Sequence, residues 1–254
     1  MMLPTIPLLG LFFHPLTPYR LAEAALTHYE AEGSATIVTP NALMLAAICR
    51  RPALRVLVSE FDLIAPDGDG VLLAARLCRR RIPRKCAGVE VGLALARLAA
   101  ERGLSLFLCG GRPGVAERAA KHLTNTLPAL RIAGVCDGYQ SEEKLIASIA
   151  ASGAAIVFVC LGFPKQEQFI SVCRHVHPAL YAALGGSLDV YAGDCRRAPR
   201  LFRMLRAEWL WRILRQPRRL KRLAPLPGFY LSLLANRFGL RFKRRVSAPS
   251  NKKS

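Results

Sequence analysis

The chain has 254 residues, which is enough for one large domain or two small ones with a sizeable core. Hydrophobic residues make up 52% and charged residues 21%, which excludes a disordered chain. The sequence contains no uninterrupted run of 18 apolar residues, so a conventional membrane-spanning helix is not predicted. The net charge is +20, but no helix-turn-helix, zinc-finger or RNP pattern accompanies it, so a nucleic-acid partner is not expected.

Strand-like and helix-like patterns alternate along most of the chain. Continuous apolar runs predict strands at residues 35–39, 63–65, 104–109, 131–136, 155–160 and 180–184. Amphipathic patterns predict helices after Pro40 and at residues 71–80, 91–102, 114–123, 142–151 and 165–174. Buried strands between amphipathic helices are typical of an α/β protein with a parallel sheet that helices cover on both faces.

The charge divides the chain into two parts. Residues 196–254 hold 18 basic residues and one acidic residue, whereas residues 1–195 hold 19 basic and 16 acidic ones. We therefore predict a nearly neutral body, 1–195, and a basic C-terminal appendage, 196–254. Basic residues interleaved with Trp, Phe, Tyr and Leu are typical of a helix that lies on an anionic membrane surface.

The cysteines and the N-terminus indicate the compartment. None of the eight cysteines forms a CxxC pair, and Cys109 and Cys160 end apolar strand-like runs, so we expect buried thiols in a reducing cytoplasm. The apolar run 6–13 lacks a basic flank and a cleavage site, so it is not interpreted as a signal peptide.

The predicted strands end in turns that carry Gly or Pro. Five such turns are TPN, PDGDG, CGGRPG, LGFPKQE and LGGSLD, which begin at Thr39, Pro66, Cys109, Leu161 and Leu184. Ligands of open α/β sheets bind outside the carboxyl ends of the strands, where glycine admits a close approach and helix N-termini attract phosphate. Tight turns alone would also use glycine, but the five together predict a nucleotide-sized site.

These motifs and two others resemble one family in their order and spacing, over about residues 35–222. They are TPN (Thr39–Asn41), APDG (Ala65–Gly68), GGRPGVAE (Gly110–Glu117), LGFPKQE (Leu161–Glu167), GGSLDVYAG (Gly185–Gly193), RAP (Arg197–Pro199) and EWLWRILRQPRR (Glu208–Arg219). The set is similar to the WecG/TagA/CpsF glycosyltransferases, glycosyltransferase family 26.

The resemblance implies a Rossmann-like catalytic domain in residues 1–195 and a C-terminal appendage that helps form the site at the membrane. It implies inverting transfer of a sugar from a UDP-sugar to a polyprenyl-diphosphate-linked saccharide in cell-surface polysaccharide biosynthesis. The expected location is cytoplasmic, peripheral at the inner face of the bacterial plasma membrane.

The candidate catalytic residues are Asp67, Thr39 and Gln166. A carboxylate at a strand end can act as the general base that deprotonates the acceptor, and the family's proposed base falls on Asp67. Asp is also a favoured helix N-cap, which is the alternative role for this residue. Thr39, Gln166 and the substrate-binding candidate Asn41 match family positions near the base, and their side chains suit sugar hydroxyls.

The remaining candidates would bind the donor. Glycines 110, 111, 185 and 186 suit close contact with a nucleotide, and Lys165 could meet the charge of the diphosphate. Tyr139 matches an aromatic residue beside the family's nucleotide pocket, although a core tyrosine is an equally good interpretation. Arg212, Arg219 and Arg222 match the appendage arginines of the family, but a solvated or lipid-facing basic helix would also contain them.

Three points remain open. The string Asp67-Gly68-Asp69 could hold a divalent metal, but the family implies a metal-independent site, so no cofactor is expected. Lys85, Val89 and Glu90 replace the family's usual Arg, Ser/Thr and Asp, which leaves the donor open between N-acetylmannosamine and a plain hexose. The alternative functions are a nicotinamide-dependent oxidoreductase, although G-x-G-x-x-G is absent, and a non-enzymatic peripheral membrane protein.

Overall fold

The computed structural model describes residues 3–194 and 223–238. Its strands are β1 (Ile6–Leu8), β2 (Leu11–Phe13), β3 (Ala35–Val38), β4 (Leu63–Ile64), β5 (Ser105–Gly110), β6 (Arg131–Cys136), β7 (Ile156–Cys160) and β8 (Leu180–Ala183). Its helices are α1 (Pro18–Glu32), α2 (Ala42–Arg50), α3 (Pro52–Ser59), α4 (Asp69–Leu77), α5 (Gly88–Arg102), α6 (Val115–Thr126), α7 (Glu142–Ser152), α8 (Lys165–Val176), α9 (Ser187–Tyr191) and α10 (Pro225–Arg237).

The centre of the fold is a six-stranded sheet in the order β4-β3-β8-β7-β5-β6, in which every neighbouring pair is parallel. Every residue of β3, β7 and β8 is buried, which explains why these strands are continuously apolar. The predicted α/β parallel sheet is therefore confirmed. Because the strands are parallel, their carboxyl ends all lie at one edge, which positions the predicted turns together.

Helices cover both faces of this sheet and form two hydrophobic cores. One core packs α2, α3, α4, α7, α8 and α10 against one face, and the other packs α1, α5, α6 and α9 against the opposite face. The chain leaves β5 for α6 on one face and leaves the adjacent β7 for α8 on the other. The topological switch point of the sheet therefore lies between the carboxyl ends of β5 and β7, the position where open α/β sheets bind ligands.

The predicted helices and strands are present, with boundaries shifted by a few residues. The chain also contains elements that the sequence patterns did not predict, namely the antiparallel hairpin β1–β2 and helices α1, α3 and α9. The hairpin strands have three residues each, too few for an alternating pattern to stand out. Helix α1 begins with a favourable N-cap at Thr17 followed by Pro18, but no predicted strand precedes this start signal.

Within the predicted appendage the structure describes residues 223–238, which include α10. Phe229 and Leu233 of this helix are buried in the same core as α2 and α4. The Tyr230 hydroxyl donates to the Gly70 carbonyl at 3.1 Å, and Arg237 donates to the Arg76 carbonyl at 3.3 Å. Helix α10 therefore packs on the body.

The described cysteines are all free thiols, and Cys86, Cys109, Cys136, Cys160 and Cys173 are buried. Burial raises the pKa of the Cys109 thiol and raises that of Cys160 to about 12, so both are neutral. No helix within residues 3–194 and 223–238 is long and apolar enough to cross a bilayer.

Candidate active site

Hydrogen bonds join the carboxyl ends of neighbouring strands, beginning at the edge strand β4. The Asp67 amide donates to the Pro40 carbonyl at 3.0 Å, which ties the turn after β4 to the turn after β3. The Thr39 hydroxyl donates to the Ala183 carbonyl at 3.5 Å and so connects β3 with β8. Three of the predicted motifs therefore form one half of a continuous edge.

The other half continues across the switch point. The Gly111 amide donates to the Cys160 carbonyl of β7 at 3.3 Å, and the Gly138 amide donates to the Gly111 carbonyl at 2.9 Å. The turns after β5, β7 and β6 are thereby fixed to one another. Helix α8 supplies the link between the two halves through the Gln166 side chain.

Gln166 fastens the loop after β7 to the loop after β8. It is 3% exposed, and its Oε1 accepts hydrogen bonds from the amides of Gly162 at 3.2 Å and Gly185 at 3.0 Å. Its Nε2 donates to Glu167 Oε1 at 2.8 Å. Because the carbonyl oxygen of this side chain already has two donors, the described contacts make Gln166 a positioning residue for the glycine turn after β8.

Asp67 lies half-buried at the end of β4, and it is not a helix cap. The N-cap of α4 is Gly68, which has a φ of 88° and makes no side-chain cap hydrogen bond. Burial, and then the negative charges of Asp67 and Glu90, raise the pKa of the Cys86 thiol to about 12, which places both carboxylates close to that thiol. Gly68 rather than Asp67 therefore occupies the N-cap position, and the Asp67 carboxylate stands at the carboxyl edge of the sheet.

Thr39 and Asn41 occupy the turn beside Asp67. Thr39 is 6% exposed, and a Cβ at Gly88 would lie 2.8 Å from its Oγ1, so the start of α5 covers this hydroxyl closely. Asn41 is the N-cap of α2, where its Oδ1 accepts from the amides of Leu43 at 3.0 Å and Met44 at 3.2 Å. The Nδ2 amide is thus the part of the Asn41 side chain suited to a sugar hydroxyl.

The glycines after β5 and β8 serve different purposes. A Cβ at Gly110 would lie 2.4 Å from the Cys160 carbonyl oxygen, so glycine is needed there for the contact between β5 and β7. A Cβ at Gly111 would lie 3.0 Å from the Val115 side chain, which is also tight. A Cβ at Gly185 would meet no atom within 4 Å, and Gly186 is exposed, so the turn after β8 is open to a ligand.

Tyr139 and Lys165 flank the switch point. Tyr139 is 73% exposed, which excludes a core role, and its amide donates to Asp137 Oδ1 at 2.8 Å in the turn after β6. Lys165 is exposed and is the first residue of α8, where the helix N-terminus adds partial positive charge. An exposed ring and an exposed ammonium group on either side of the switch point suit a base and a phosphate, respectively.

The substituted segment before α5 makes an unexpected ion pair. Lys85 Nζ lies 2.9 Å from Asp69 Oδ2, so the second carboxylate of the Asp-Gly-Asp string faces a lysine. The Val89 carbonyl accepts a hydrogen bond from Tyr191 at 2.7 Å. Within residues 3–194 and 223–238, no three His, Cys, Asp or Glu side chains gather as metal ligands would.

Two acidic residues of the motifs, Glu167 and Asp189, were not predicted as site residues from the sequence. Glu167 is completely buried, its Oε2 has no hydrogen-bond partner among the described residues, and burial raises the pKa of its carboxyl to about 7. Asp189 lies in the first turn of α9, with Oδ2 3.5 Å from where a Gly186 Cβ would stand. A glutamate at the third position of a helix predicts an ordinary N-terminal charge, so only burial distinguishes Glu167.

The appendage arginines 212, 219 and 222 lie outside the described residues. Every other candidate lies at a strand end, in a turn or at a helix start on the carboxyl edge of the sheet. Thr39, Asn41 and Asp67 are on the side of β3 and β4, whereas Tyr139 and Lys165 are on the side of β5–β7. Gln166 and the glycine turn after β8 lie between the two groups.

Comparison with known proteins assigns the chain to a family. The sequence model of the glycosyl transferase WecG/TagA/CpsF family matches residues 6–243. An N-acetylglucosaminyldiphosphoundecaprenol N-acetyl-beta-D-mannosaminyltransferase of Bacillus subtilis (strain 168) is 36% identical over 211 residues, 82% of each chain. A Bacillus spizizenii protein of the same name is 33% identical over 210 residues, also 82% of each chain. The chain therefore belongs to the WecG/TagA/CpsF family of glycosyl transferases.

Proposed function

We propose that this protein is an inverting glycosyltransferase that moves a sugar from a UDP-sugar to a polyprenyl-diphosphate-linked saccharide in cell-surface polysaccharide biosynthesis. The observation that carries the proposal is the hydrogen-bonded edge that sets Asp67 and Thr39 beside the open glycine turn after β8. The relatives' names describe transfer of N-acetylmannosamine to a diphosphoundecaprenol-linked N-acetylglucosamine, which supports an acceptor of the same class.

In the proposed reaction, Asp67 accepts the proton of the acceptor hydroxyl as the hydroxyl oxygen attacks the anomeric carbon. The bond from that carbon to the diphosphate oxygen breaks at the same time, and UDP leaves with the bonding electrons. A single displacement of this kind inverts the anomeric centre. One positioned general base is sufficient for it, and such a base contributes about 10²–10⁴-fold to the rate.

The departing UDP needs positive charge around its diphosphate. We infer that Lys165 and the N-terminus of α8 supply part of it, and that Tyr139 packs on the uracil ring. Arg212, Arg219 and Arg222 would complete the site from the appendage, because arginine forks match phosphate oxygens. With these cations in place, the transfer proceeds without a divalent metal.

The proposed location is the inner face of the bacterial plasma membrane, where the protein is peripheral. The acceptor is held there by its polyprenyl chain, and the appendage carries the charge that anionic lipids attract. The family match and the missing G-x-G-x-x-G spacing disfavour a nicotinamide-dependent oxidoreductase. A non-enzymatic membrane protein would leave the edge of candidate residues without a role.

The donor is either N-acetylmannosamine-like or a plain hexose. Lys85 binds Asp69 in the place where the family usually has arginine, and Val89 offers no hydroxyl. A panel of UDP-sugars with a polyprenyl-diphosphate N-acetylglucosamine acceptor, followed by mass spectrometry, identifies the donor. The proposal fails if none of the UDP-sugars extends the acceptor.

The general base is tested by Asp67→Asn, with Asp69→Asn as the matched control. The amide keeps the shape of the side chain but cannot accept the proton, so we expect turnover to fall about 10²–10⁴-fold while UDP binding by calorimetry is retained. Asp69→Asn removes a carboxylate two residues away and should cost far less turnover. Undiminished turnover in Asp67→Asn would remove the assignment of the base.

A further inference from the structure

The near neutrality of the body conceals one strongly basic segment. Residues 70–89 contain six Lys and Arg and no acidic residue, so this segment alone carries +6. The remainder of residues 1–195 holds 13 basic and 16 acidic residues. The positive charge of the body is therefore concentrated in the second half of α4 and the loop that follows it.

This segment wraps around the edge of the sheet beside the candidate site. Ile82 is buried in the core of one face and Cys86 in the core of the other, so the chain between α4 and α5 crosses the edge strand β4. The Cys86 amide donates to the Pro66 carbonyl at 2.7 Å, directly before Asp67. The loop is thus anchored where β4 ends, next to the proposed base.

Five arginines of this segment, which we call the arginine loop, are exposed; they are Arg76, Arg79, Arg80, Arg81 and Arg84. None of them forms an ion pair with a described residue, in contrast to Lys85, which is bound to Asp69. Five like charges close together repel one another and raise the free energy of the isolated protein. An anionic surface would relieve that repulsion.

An apolar surface lies next to the arginine loop. Tyr230 bonds to Gly70 and Arg237 bonds to Arg76, so α10 runs parallel to α4 and ends beside the first arginine of the loop. Leu231 and Phe238, which directly follow the two contact residues, are 65% and 69% exposed, and Leu234 is 39% exposed. These three residues, the α10 stripe, recur at the i, i+3, i+7 spacing of one helix face.

We propose that the arginine loop and the α10 stripe form a docking surface for an anionic bilayer, with the arginines on lipid phosphates and the stripe in the interface. Exposed apolar side chains beside arginines that pair with no described residue fit a lipid surface better than nucleic acid or an acidic protein, which would match only the charge. The surface goes beyond the proposed function, because it adds the arginine loop of the body to the membrane contact of the appendage and places the carboxyl end of β4 close to the bilayer.

The test measures binding of the full chain to vesicles, so it does not depend on catalysis. Sedimentation with vesicles of phosphatidylcholine and 30% phosphatidylglycerol is compared for the wild type and the variant Arg79→Gln/Arg80→Gln/Arg81→Gln/Arg84→Gln. The matched control, Arg97→Gln/Lys121→Gln/Arg131→Gln/Lys144→Gln, removes the same charge from exposed positions on other parts of the body. A third variant, Leu231→Gln/Leu234→Gln/Phe238→Gln, removes the stripe.

We expect the loop variant to lose about tenfold or more in partition coefficient, since each basic residue near an anionic surface contributes about 1 kcal/mol. The control should lose less than about twofold, because its residues lie too far from the bilayer for unscreened attraction. The stripe variant should bind more weakly to the same vesicles. Equal binding of the loop variant and the wild type, or an equal loss in the control, would overturn the proposal. A lack of glycosyl transfer would leave this measurement unaffected.

Discussion

Glu167, which hydrogen-bonds the side chain that links the two halves of the site, allows a sharp test of buried ionisation. Its carboxyl is completely buried, accepts one hydrogen bond from Gln166, and has an Oε2 without a partner among the described residues. Glu167→Gln keeps the shape and retains an oxygen that can accept from Gln166. The substitution therefore removes the ionisable group and changes little else.

The sign of the effect follows from burial. Because burial raises the folded-state pKa of Glu167 from 4.5 to about 7, the folded protein binds this proton more tightly than the unfolded chain does. The stabilisation is fully present below about pH 4.5 and is lost as the pH rises to about 7. At 1.36 kcal/mol per pKa unit, ionisation of Glu167 costs the folded state about 3 kcal/mol above that window.

The assay is urea unfolding of wild type and Glu167→Gln at intervals between pH 4.5 and 8. We expect the stability difference between the two proteins to shift in favour of the variant by about 3 kcal/mol across that range. Glu143→Gln is the control, because Glu143 also lies in a first helical turn but is exposed, and hydrogen bonds lower its carboxyl pKa. Parallel pH profiles for wild type and Glu167→Gln would refute the buried ionisation.

Three further predictions concern the edge of the site, α10 and metal dependence. Gly110→Ala should lower the free energy of unfolding by about 1–3 kcal/mol more than Gly33→Ala; both glycines have a positive φ, 128° and 74°, but a Cβ at Gly33 would meet no atom within 4 Å. Phe229→Ala should cost about 3–5 kcal/mol, whereas the exposed Phe238→Ala should cost less than about 0.5 kcal/mol, both by chemical denaturation. Transfer activity should persist in excess EDTA; loss of activity that Mg²⁺ or Mn²⁺ restores would instead assign a metal to the Asp67-Gly68-Asp69 string.

The sheet and the edge that carries the site could be predicted because each depends on local patterns. Apolar runs followed by Gly or Pro turns mark strand ends, and parallel strands bring those ends together without further information. The same logic located Asp67, Thr39 and the glycine turns. Short elements such as the β1–β2 hairpin could not be found this way, because Leu8, Leu11 and Phe13 are buried in a core formed with residues distant in sequence.

The roles of individual side chains were harder to predict than their positions. Gln166 is a candidate in the sequence because an amide suits a sugar hydroxyl, yet its carbonyl oxygen is occupied by the amides of Gly162 and Gly185. Gly110 resembles a ligand-contact glycine, but the neighbouring strand requires it. These distinctions depend on which backbone groups a side chain meets across the sheet, and spacing along one chain does not contain that information.

The net charge of the body, residues 1–195, conceals how its charged residues are distributed. A body of +3 suggests that only the appendage is drawn to a membrane, but that sum combines the +6 of residues 70–89 with a net negative remainder. The basic segment is held at the carboxyl end of β4 by the Cys86–Pro66 hydrogen bond, next to the proposed base. A lipid-linked diphosphate remains at the bilayer surface, so an enzyme that transfers sugar to it gains from charge placed at the mouth of its site. The same charge on the opposite edge would turn that mouth away from the substrate.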